Sequence, residues 1–315
     1  MIATDEAGYG PKLGPLVVCA SVWKIDESRF ETSFERLSTP LKLGKSSIVV
    51  DDSKAIFRPS SARSSNDEGY GKLESVAVAG ARWSGLARDR VSLASGFAPT
   101  DVLSLRESPW LADFAKESVA IEGVEPIIEH WKEGDARLEA IEARVITARA
   151  FNQWCGGGAN KSDLLSHLTL DLVRRRLDAL GDTDERISVY CDRHGGRRFY
   201  APPLQATFED SLIAVGSETK TQSHYRVPYG ERPFEIRFTV KGDSFAPVAF
   251  SSMVAKYLRE KAMESLNRYF VSRHAGDRAL KPTAGYPVDA DRFLKEIEPT
   301  LARGKISPED LVRAR

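Results

Sequence analysis

Several kinds of function are excluded by what this 315-residue sequence lacks. It has only three cysteines and five histidines, with no C-x-x-C pair and no histidine spacing typical of a metal site. Neither a disulfide framework nor a thiolate zinc site is therefore indicated. The 45 basic and 45 acidic residues cancel, so any affinity for nucleic acid must come from local clusters of lysine and arginine.

Long apolar runs are also missing. No stretch of 18 apolar residues occurs, and no basic segment followed by an apolar core stands near Met1. With 42% hydrophobic and 29% charged residues, the composition is ordinary for a globular protein. We therefore expect a cytoplasmic protein that does not bind membranes.

The pattern along the chain predicts an α/β fold with a mixed central sheet. Residues 2–4 and 16–25 indicate two strands around a glycine-rich turn, and further strands are indicated at 139–151, 187–191 and 234–240. Helical spacing predicts helices over 160–180 and 247–270, and the tail from Val288 resembles two short helices broken near Gly304. Residues 58–71 are Ser-rich and predict a loop, and the weak pattern up to about Glu122 suggests an insertion.

Acidic residues follow three of these strands. Asp5 and Glu6 follow the first strand, Asp192 follows the buried run Ile187–Cys191, and Asp243 follows the strand at 234–240. In open α/β sheets, functional groups collect beyond the carboxyl ends of the strands. Four carboxylates there would repel one another unless divalent cations such as Mg²⁺ neutralised them. Neighbouring residues of a strand face opposite ways, so we expect Asp5 and Glu6 to share a site only where the strand breaks. The alternative is that each acid is a solvated loop residue.

Three ordered motifs resemble those of one family. The segment D-E-A-G-Y-G-P-K-L-G-P-L-V-V, residues 5–18, closely resembles the signature D-E-A-G-R-G-P-x-x-G-P-V-V of type 2 ribonuclease H (ribonuclease HII and HIII). Asp52-Ser53-Lys54 is similar to the family's D-S-K. Residues 241–256 resemble its K-x-D-x-x-x-P-V-x-x-A-S-I-x-A-K helix, and Gly285-Tyr286 resembles its C-terminal G-Y-x-T.

The resemblance implies an RNase H-like fold with helices on both faces of the sheet and a C-terminal helical segment. It implies a catalytic domain over 1–272, with 58–135 as an insertion, and a substrate-binding segment over 273–315. Asp5, Glu6, Asp192 and Asp243 would be the catalytic and metal-binding residues, holding two Mg²⁺ or Mn²⁺ ions. The activity implied is cleavage of the RNA strand of an RNA–DNA hybrid, or cleavage 5′ to a ribonucleotide embedded in duplex DNA. The partner implied is nucleic acid, bound by a monomer.

Substrate contacts are predicted from the same motifs and from the basic cluster beside Asp192, which consists of Arg193, Arg197 and Arg198. The predicted residues are Gly8, Tyr9, Gly10, Ser53, Lys54, Arg193, Lys241, Lys256, Arg259 and Tyr286. In the family, Gly-Arg-Gly surrounds the ribose 2′-hydroxyl, whereas this chain has Gly8-Tyr9-Gly10. Tyr9 cannot supply the guanidinium charge, although it can stack or form a hydrogen bond.

Two alternatives follow from that departure and from the general charge pattern. One is a DNA nuclease or resolvase on the same superfold, with sugar discrimination lost at Tyr9. The other is a catalytically silent nucleic-acid-binding module, which would need none of the four acids.

Overall fold

The central sheet has seven strands, which come from distant parts of the sequence. The computed structural model describes residues 1–30, 32–57, 67–181, 185–230, 232–276 and 278–314. The strands are β1 Ile2–Ala7, β2 Leu16–Lys24, β3 Leu41–Leu43, β4 Ser46–Ile48, β5 Arg90–Ser92, β6 Ser118–Ala120, β7 Arg137–Ile146, β8 Ile187–Asp192, β9 Ala214–Glu218, β10 Gln222–Tyr229 and β11 Arg232–Thr239. Seven of them form one sheet in the order β7-β2-β1-β8-β11-β10-β9, and β3-β4 and β5-β6 form two small ladders.

The helices surround this sheet. They are α1 Glu35–Ser38, α2 Ser53–Ile56, α3 Glu68–Trp83, α4 Leu93–Phe97, α5 Val102–Glu107, α6 Ala112–Lys116, α7 Glu125–Lys132, α8 Ala148–Cys155, α9 Lys161–Ala179, α10 Ala201–Thr207, α11 Ala246–Arg273, α12 Pro287–Gly304 and α13 Pro308–Leu311. Short 3₁₀ turns lie at Glu27–Arg29, Pro99–Asp101 and Gly242–Ser244. In the part of the chain that the structure describes, no helix has both the length and the apolar character needed to cross a membrane.

The register of the central strands decides where the functional groups meet. β1 pairs antiparallel with β2 and parallel with β8, and β8 pairs parallel with β11. Because β1, β8 and β11 run the same way, their carboxyl ends meet at one edge of the sheet. The predicted strand–turn–strand unit at the start of the chain is confirmed, with positive φ angles at Gly8 and Gly14 in its turn.

Both faces of the sheet are covered by helices, as the fold class predicts. Along β2, Val18 and Ala20 belong to one core cluster with the apolar side of α9, while Val17 and Cys19 belong to a second cluster with α11. This alternation follows from the pleat of the strand, which sends successive side chains to opposite faces. The prediction of a mixed α/β sheet with helices on both faces and helices at the C-terminal end is confirmed.

The two long helices lie close to where periodicity predicts them. α9 begins after Asn160, whose side chain accepts hydrogen bonds from Ser162 N and Asp163 N in a capping box. α11 begins at Ala246 with Pro247 in its first turn, where the missing N–H costs nothing. It extends to Arg273, slightly beyond the predicted end.

Other predictions need correction. The strand predicted at 139–151 ends at Ile146, because Thr147 caps the start of α8 by accepting a hydrogen bond from Ala150 N. Within the loop predicted at 58–71, residues 58–66 lie outside the described residues, and Asp67 caps a helix that begins at Glu68. This helix, α3, packs against α11: Gly80 permits the contact, since a Cβ there would lie 2.5 Å from the Phe250 ring.

The chain after α11 packs on the same core. α12 buries Ala290, Phe293 and Ile297, and the ring centroids of Phe293 and Phe270 are 5.8 Å apart. The break near Gly304 is where the sequence predicts it, but the first tail helix is 18 residues long rather than short. The division of the chain at residue 272 into a catalytic domain and a substrate-binding segment stays a prediction.

Candidate metal centre

Three carboxylates converge at the carboxyl edge of β1 and β8. One carboxylate oxygen from each of Asp5, Glu6 and Asp192 lies within 4.8 Å of the others. The parallel register of β1 and β8 brings the acids together. Thr4 pairs with Cys191, and the next residues of the two strands are Asp5 and Asp192. Residues almost 190 positions apart in sequence therefore share one site.

Asp5 and Glu6 share the cluster although β1 does not break between them. The strand continues to pair with β2 as far as Ala7, so the expectation that the strand must break is wrong. Instead, the Asp5 carboxylate accepts a hydrogen bond of 2.7 Å from the Glu6 amide. This hydrogen bond holds the Asp5 carboxylate close to the backbone of Glu6.

Asp192 is held by the segment that follows β11. Its Oδ1 accepts a hydrogen bond of 2.7 Å from Gly242 N. Gly242 is needed there for space, since a Cβ would lie 2.9 Å from the Asp192 Cα. Gly242 thus supports the site, and nothing in the sequence analysis selects it, because it occupies a variable position of the motif.

Asp243 lies beside the cluster rather than in it. It belongs to the 3₁₀ turn Gly242–Ser244, and its charge helps to raise the pKa of Asp192. Its own pKa is raised by desolvation and by the nearby charge of Asp52. Among the described residues, the compact cluster consists of three of the four predicted acids, with Asp243 at its edge.

The cluster is electrostatically strained without a cation. Burial, followed by the charges of Glu6 and Asp192, raises the pKa of Asp5 well above its ordinary value. Burial and the charge of Asp192 raise the pKa of Glu6 to about 7. Hard divalent cations take oxygen ligands and would remove this repulsion. The donor set of three crowded carboxylates therefore fits Mg²⁺ or Mn²⁺.

These shifts predict how stability depends on pH when no metal is bound. The folded chain holds protons on Glu6 up to about pH 7, whereas the unfolded chain releases them near its ordinary pKa of 4.5. The contribution of Glu6 to stability therefore falls as pH rises between these two values, because its folded state then binds more protons than its unfolded state. Thermal unfolding of the metal-free protein and of Glu6→Gln should show the variant gaining on the order of 1–3 kcal/mol relative to wild type from pH 4.5 to 7. A difference that is constant across this range would contradict the raised pKa.

The Asp-Ser-Lys motif borders the cluster. Asp52 caps α2, and its side chain accepts a hydrogen bond of 2.8 Å from Lys54 N. The hydroxyls of Ser53 and Ser252 are 3.0 Å apart, and Ser252 in turn forms a hydrogen bond with the Asp5 side chain. Ser53 is buried, and the substrate contact predicted for it stays a prediction. The charges of Asp5 and Asp243 raise the pKa of the Lys54 ammonium.

The glycine turn after Glu6 passes very close to other parts of the chain. Gly8 has φ of +89°, and a Cβ on it would lie 2.6 Å from Pro15 O and 2.8 Å from the Arg259 side chain. Gly10 is exposed with open space around it. The first glycine is therefore required for the path of the turn, while the second leaves the backbone accessible.

Lys256 and Arg259, for which substrate contacts are predicted, are both buried. They are 7% and 1% exposed, and both form ion pairs with Glu260, at 3.2 and 2.9 Å. Arg259 also donates a hydrogen bond of 3.0 Å to Ala284 O. Both cations are therefore engaged inside the protein, and the phosphate contact predicted for them stays a prediction.

The basic cluster after Asp192 is likewise engaged within the protein. Arg193 donates hydrogen bonds to Lys220 O, at 2.6 Å, and to Thr219 O, at 3.2 Å, and so holds the β9–β10 turn. The phosphate contact predicted for Arg193 would require these bonds to break. Lys241 and Tyr286 are exposed, and their predicted substrate contacts stay predictions.

Solved structures similar to this one cover nearly all of the chain. The PCNA:RNase HII complex from Archaeoglobus fulgidus has 15% sequence identity and a TM-score of 0.46, covering 100% of this chain and 93% of the matched chain. Bst-RNase HIII in complex with Mn²⁺ has 17% identity and a TM-score of 0.42, covering 99% and 65%. Ribonuclease H2 from Pyrococcus horikoshii OT3 has 14% identity and a TM-score of 0.41, covering 98% and 90%. All three are type 2 ribonucleases H. This is the family that the sequence motifs resemble. No family model matches the sequence, and no curated protein matches it.

Proposed function

We propose that this protein is a divalent-metal-dependent endoribonuclease. Its substrate would be the RNA strand of an RNA–DNA hybrid or a ribonucleotide embedded in duplex DNA. The observation that supports this most directly is the cluster of Asp5, Glu6 and Asp192, in which Asp5 and Glu6 belong to the segment that resembles type 2 ribonuclease H.

Asp5, Glu6 and Asp192 would hold the first ion, and Asp243 beside Asp192 would complete a second site. Divalent ions held there would supply an activated water and charge stabilisation for the leaving 3′-oxygen. The chain prepares its ligands by hydrogen bonds: Ser252 and the Glu6 amide fix Asp5, and the Gly242 amide fixes Asp192. Fixed ligands reduce the reorganisation needed during hydrolysis.

The turn at Gly8-Tyr9-Gly10 lies next to these ligands and is suited to contact the sugar at the cut site. The exposed Gly10 leaves its backbone free to approach a ribose, whose 2′-hydroxyl is the group that separates RNA from DNA. Tyr9 stands where the family has arginine. That difference favours one second candidate, a DNA nuclease on the same architecture that does not require a 2′-hydroxyl.

A cleavage assay on three end-labelled duplexes separates these functions. The duplexes are an RNA–DNA hybrid, a DNA duplex with one ribonucleotide, and an all-DNA duplex, each incubated with Mn²⁺ or Mg²⁺ and with a chelator as control. We expect the hybrid or the ribonucleotide-containing duplex to be cut and the all-DNA duplex to stay intact. Equal cutting of all three would support the DNA nuclease, and cutting of none would contradict both enzymatic proposals.

A further inference from the structure

The side chain of Tyr9 connects the turn after Glu6 to two other segments. Its hydroxyl forms a hydrogen bond with the Ser162 side chain at the start of α9. The same hydroxyl lies against the Gly195 backbone, where an added Cβ would be 2.9 Å away. Gly195 has φ of +58°, so this loop can take its path beside the phenol ring without strain. Tyr9 is therefore fixed from both sides, next to the carboxylate cluster.

An ammonium group lies over the ring of Tyr9. Lys161, the first residue of α9, places its Nζ 4.8 Å from the ring centroid. This distance is within the range of a cation–π interaction, in which the negative face of the ring attracts the charge. Lys161 remains exposed, so the ring orients the ammonium without removing it from solvent.

The nearest acid of α9 does not neutralise Lys161. Asp163 forms an ion pair with Arg197, and its other carboxylate oxygen accepts a hydrogen bond of 3.2 Å from Asn160 N. Lys161 forms no ion pair with any residue that the structure describes. A cation that is held by a neutral ring near the carboxylate cluster, and that has no ion-pair partner among the described residues, is suited to bind an external anion.

We propose that Lys161, oriented by Tyr9, binds a phosphate of the nucleic-acid strand adjacent to the cluster of Asp5, Glu6 and Asp192. Tyr9 is then a positioning residue, and the positive charge beside the glycine turn comes from α9. This inference rests on the proposed function, since it assumes that nucleic acid occupies the cluster. It names a substrate contact that the sequence motifs do not contain.

Binding of a labelled RNA–DNA hybrid in a chelator, at several salt concentrations, tests this directly. One phosphate contact contributes about 0.9 to the slope of log K against log salt on a duplex. Lys161→Ala should lower the slope by about that amount, so its affinity deficit shrinks about threefold between 50 and 200 mM salt. Lys161→Arg should retain the slope. The matched control is Lys116→Ala, an exposed lysine on α6 at the opposite face of the sheet, and it should behave as wild type.

Substitutions of Tyr9 test the positioning role. Tyr9→Phe keeps the ring and should retain the slope, while Tyr9→Ala should lower the slope toward that of Lys161→Ala. The double variant Tyr9→Ala/Lys161→Ala should bind no more weakly than Lys161→Ala alone, because Tyr9 acts through Lys161. A purely structural Tyr9 would instead add its effect to that of Lys161.

Binding and cleavage report separately on the two proposals. If Lys161→Ala has the wild-type salt slope, or if wild type binds no duplex in a salt-dependent way, the phosphate contact is overturned, whatever the cleavage assay shows. If the slope depends on Lys161 but no duplex is cut with Mn²⁺ or Mg²⁺, the contact stands and the nuclease proposal fails.

Discussion

Asp5→Asn should reduce metal-dependent cleavage by more than about a hundredfold. Changing a group that only orients a metal ligand typically costs 10- to 100-fold in metal affinity or activity, so loss of a ligand should cost at least the upper end of that range. Asp5 is buried in the middle of the cluster, and its carboxylate contacts the Glu6 amide and Ser252. The rate of cutting of the preferred duplex with Mn²⁺ gives the first measurement.

The same variant should make the metal-free protein more stable. Burial and the charges of Glu6 and Asp192 raise the pKa of Asp5, which means that its ionised form is unfavourable in the folded state. A neutral amide of the same shape removes that repulsion, so at pH 8 the Tm without metal should rise and the increase in Tm caused by Mn²⁺ should disappear.

Asp113→Asn supplies the comparison for Asp5→Asn. Asp113 is an exposed acid on α6, 3.7 Å from Arg268, and its change should alter neither the rate nor the effect of Mn²⁺. An Asp5→Asn protein that cuts as fast as wild type would show that the metal centre has been assigned to the wrong residues.

Glu260→Gln should lower the free energy of unfolding by about 3–5 kcal/mol, the usual cost of breaking a buried ion pair from one side. Glu260 is 3% exposed and neutralises both Lys256 and Arg259. A third buried cation, Arg313, stands nearby; burial and the charge of Arg259 lower its pKa to about 9. Without the Glu260 carboxylate, this interior region would carry uncompensated positive charge.

Urea unfolding of Glu260→Gln and Glu264→Gln measures this effect. Glu264 is on the same helix, and its side chain is 30% exposed at 3.6 Å from Lys261. Its substitution should cost less than about 1 kcal/mol, because partly exposed pairs contribute little. Equal midpoints for the two variants would mean that the buried charges are balanced in some other way.

The sequence predicts that Asp5, Glu6 and Asp192 lie close together, because their placement depends on a general property of sheets. Strands ending in acids put those acids at one edge whenever the strands are parallel, which holds for β1 and β8. It predicts α9 for a similar reason: a cap and one apolar face are both local signals, and Asn160 supplies the cap.

The features that the sequence does not predict depend on distant contacts. In α3 the residues from Val76 to Ala81 are all buried, so the alternation between a polar and an apolar face disappears. Lys256 and Arg259 carry charge, and charged residues are ordinarily at the surface. Their burial depends on Glu260 and on the carbonyl of Ala284, which belongs to a remote segment.

The parallel pairing of β1 with β8 also has a consequence for synthesis of the protein. β1 and β2 are made first and can pair locally, but Asp192 reaches Asp5 only after most of the chain has been translated. A ribosome-bound fragment that ends before residue 187 would contain Asp5 and Glu6 but not Asp192. The cluster of three acids can therefore form only after β8 has been synthesised.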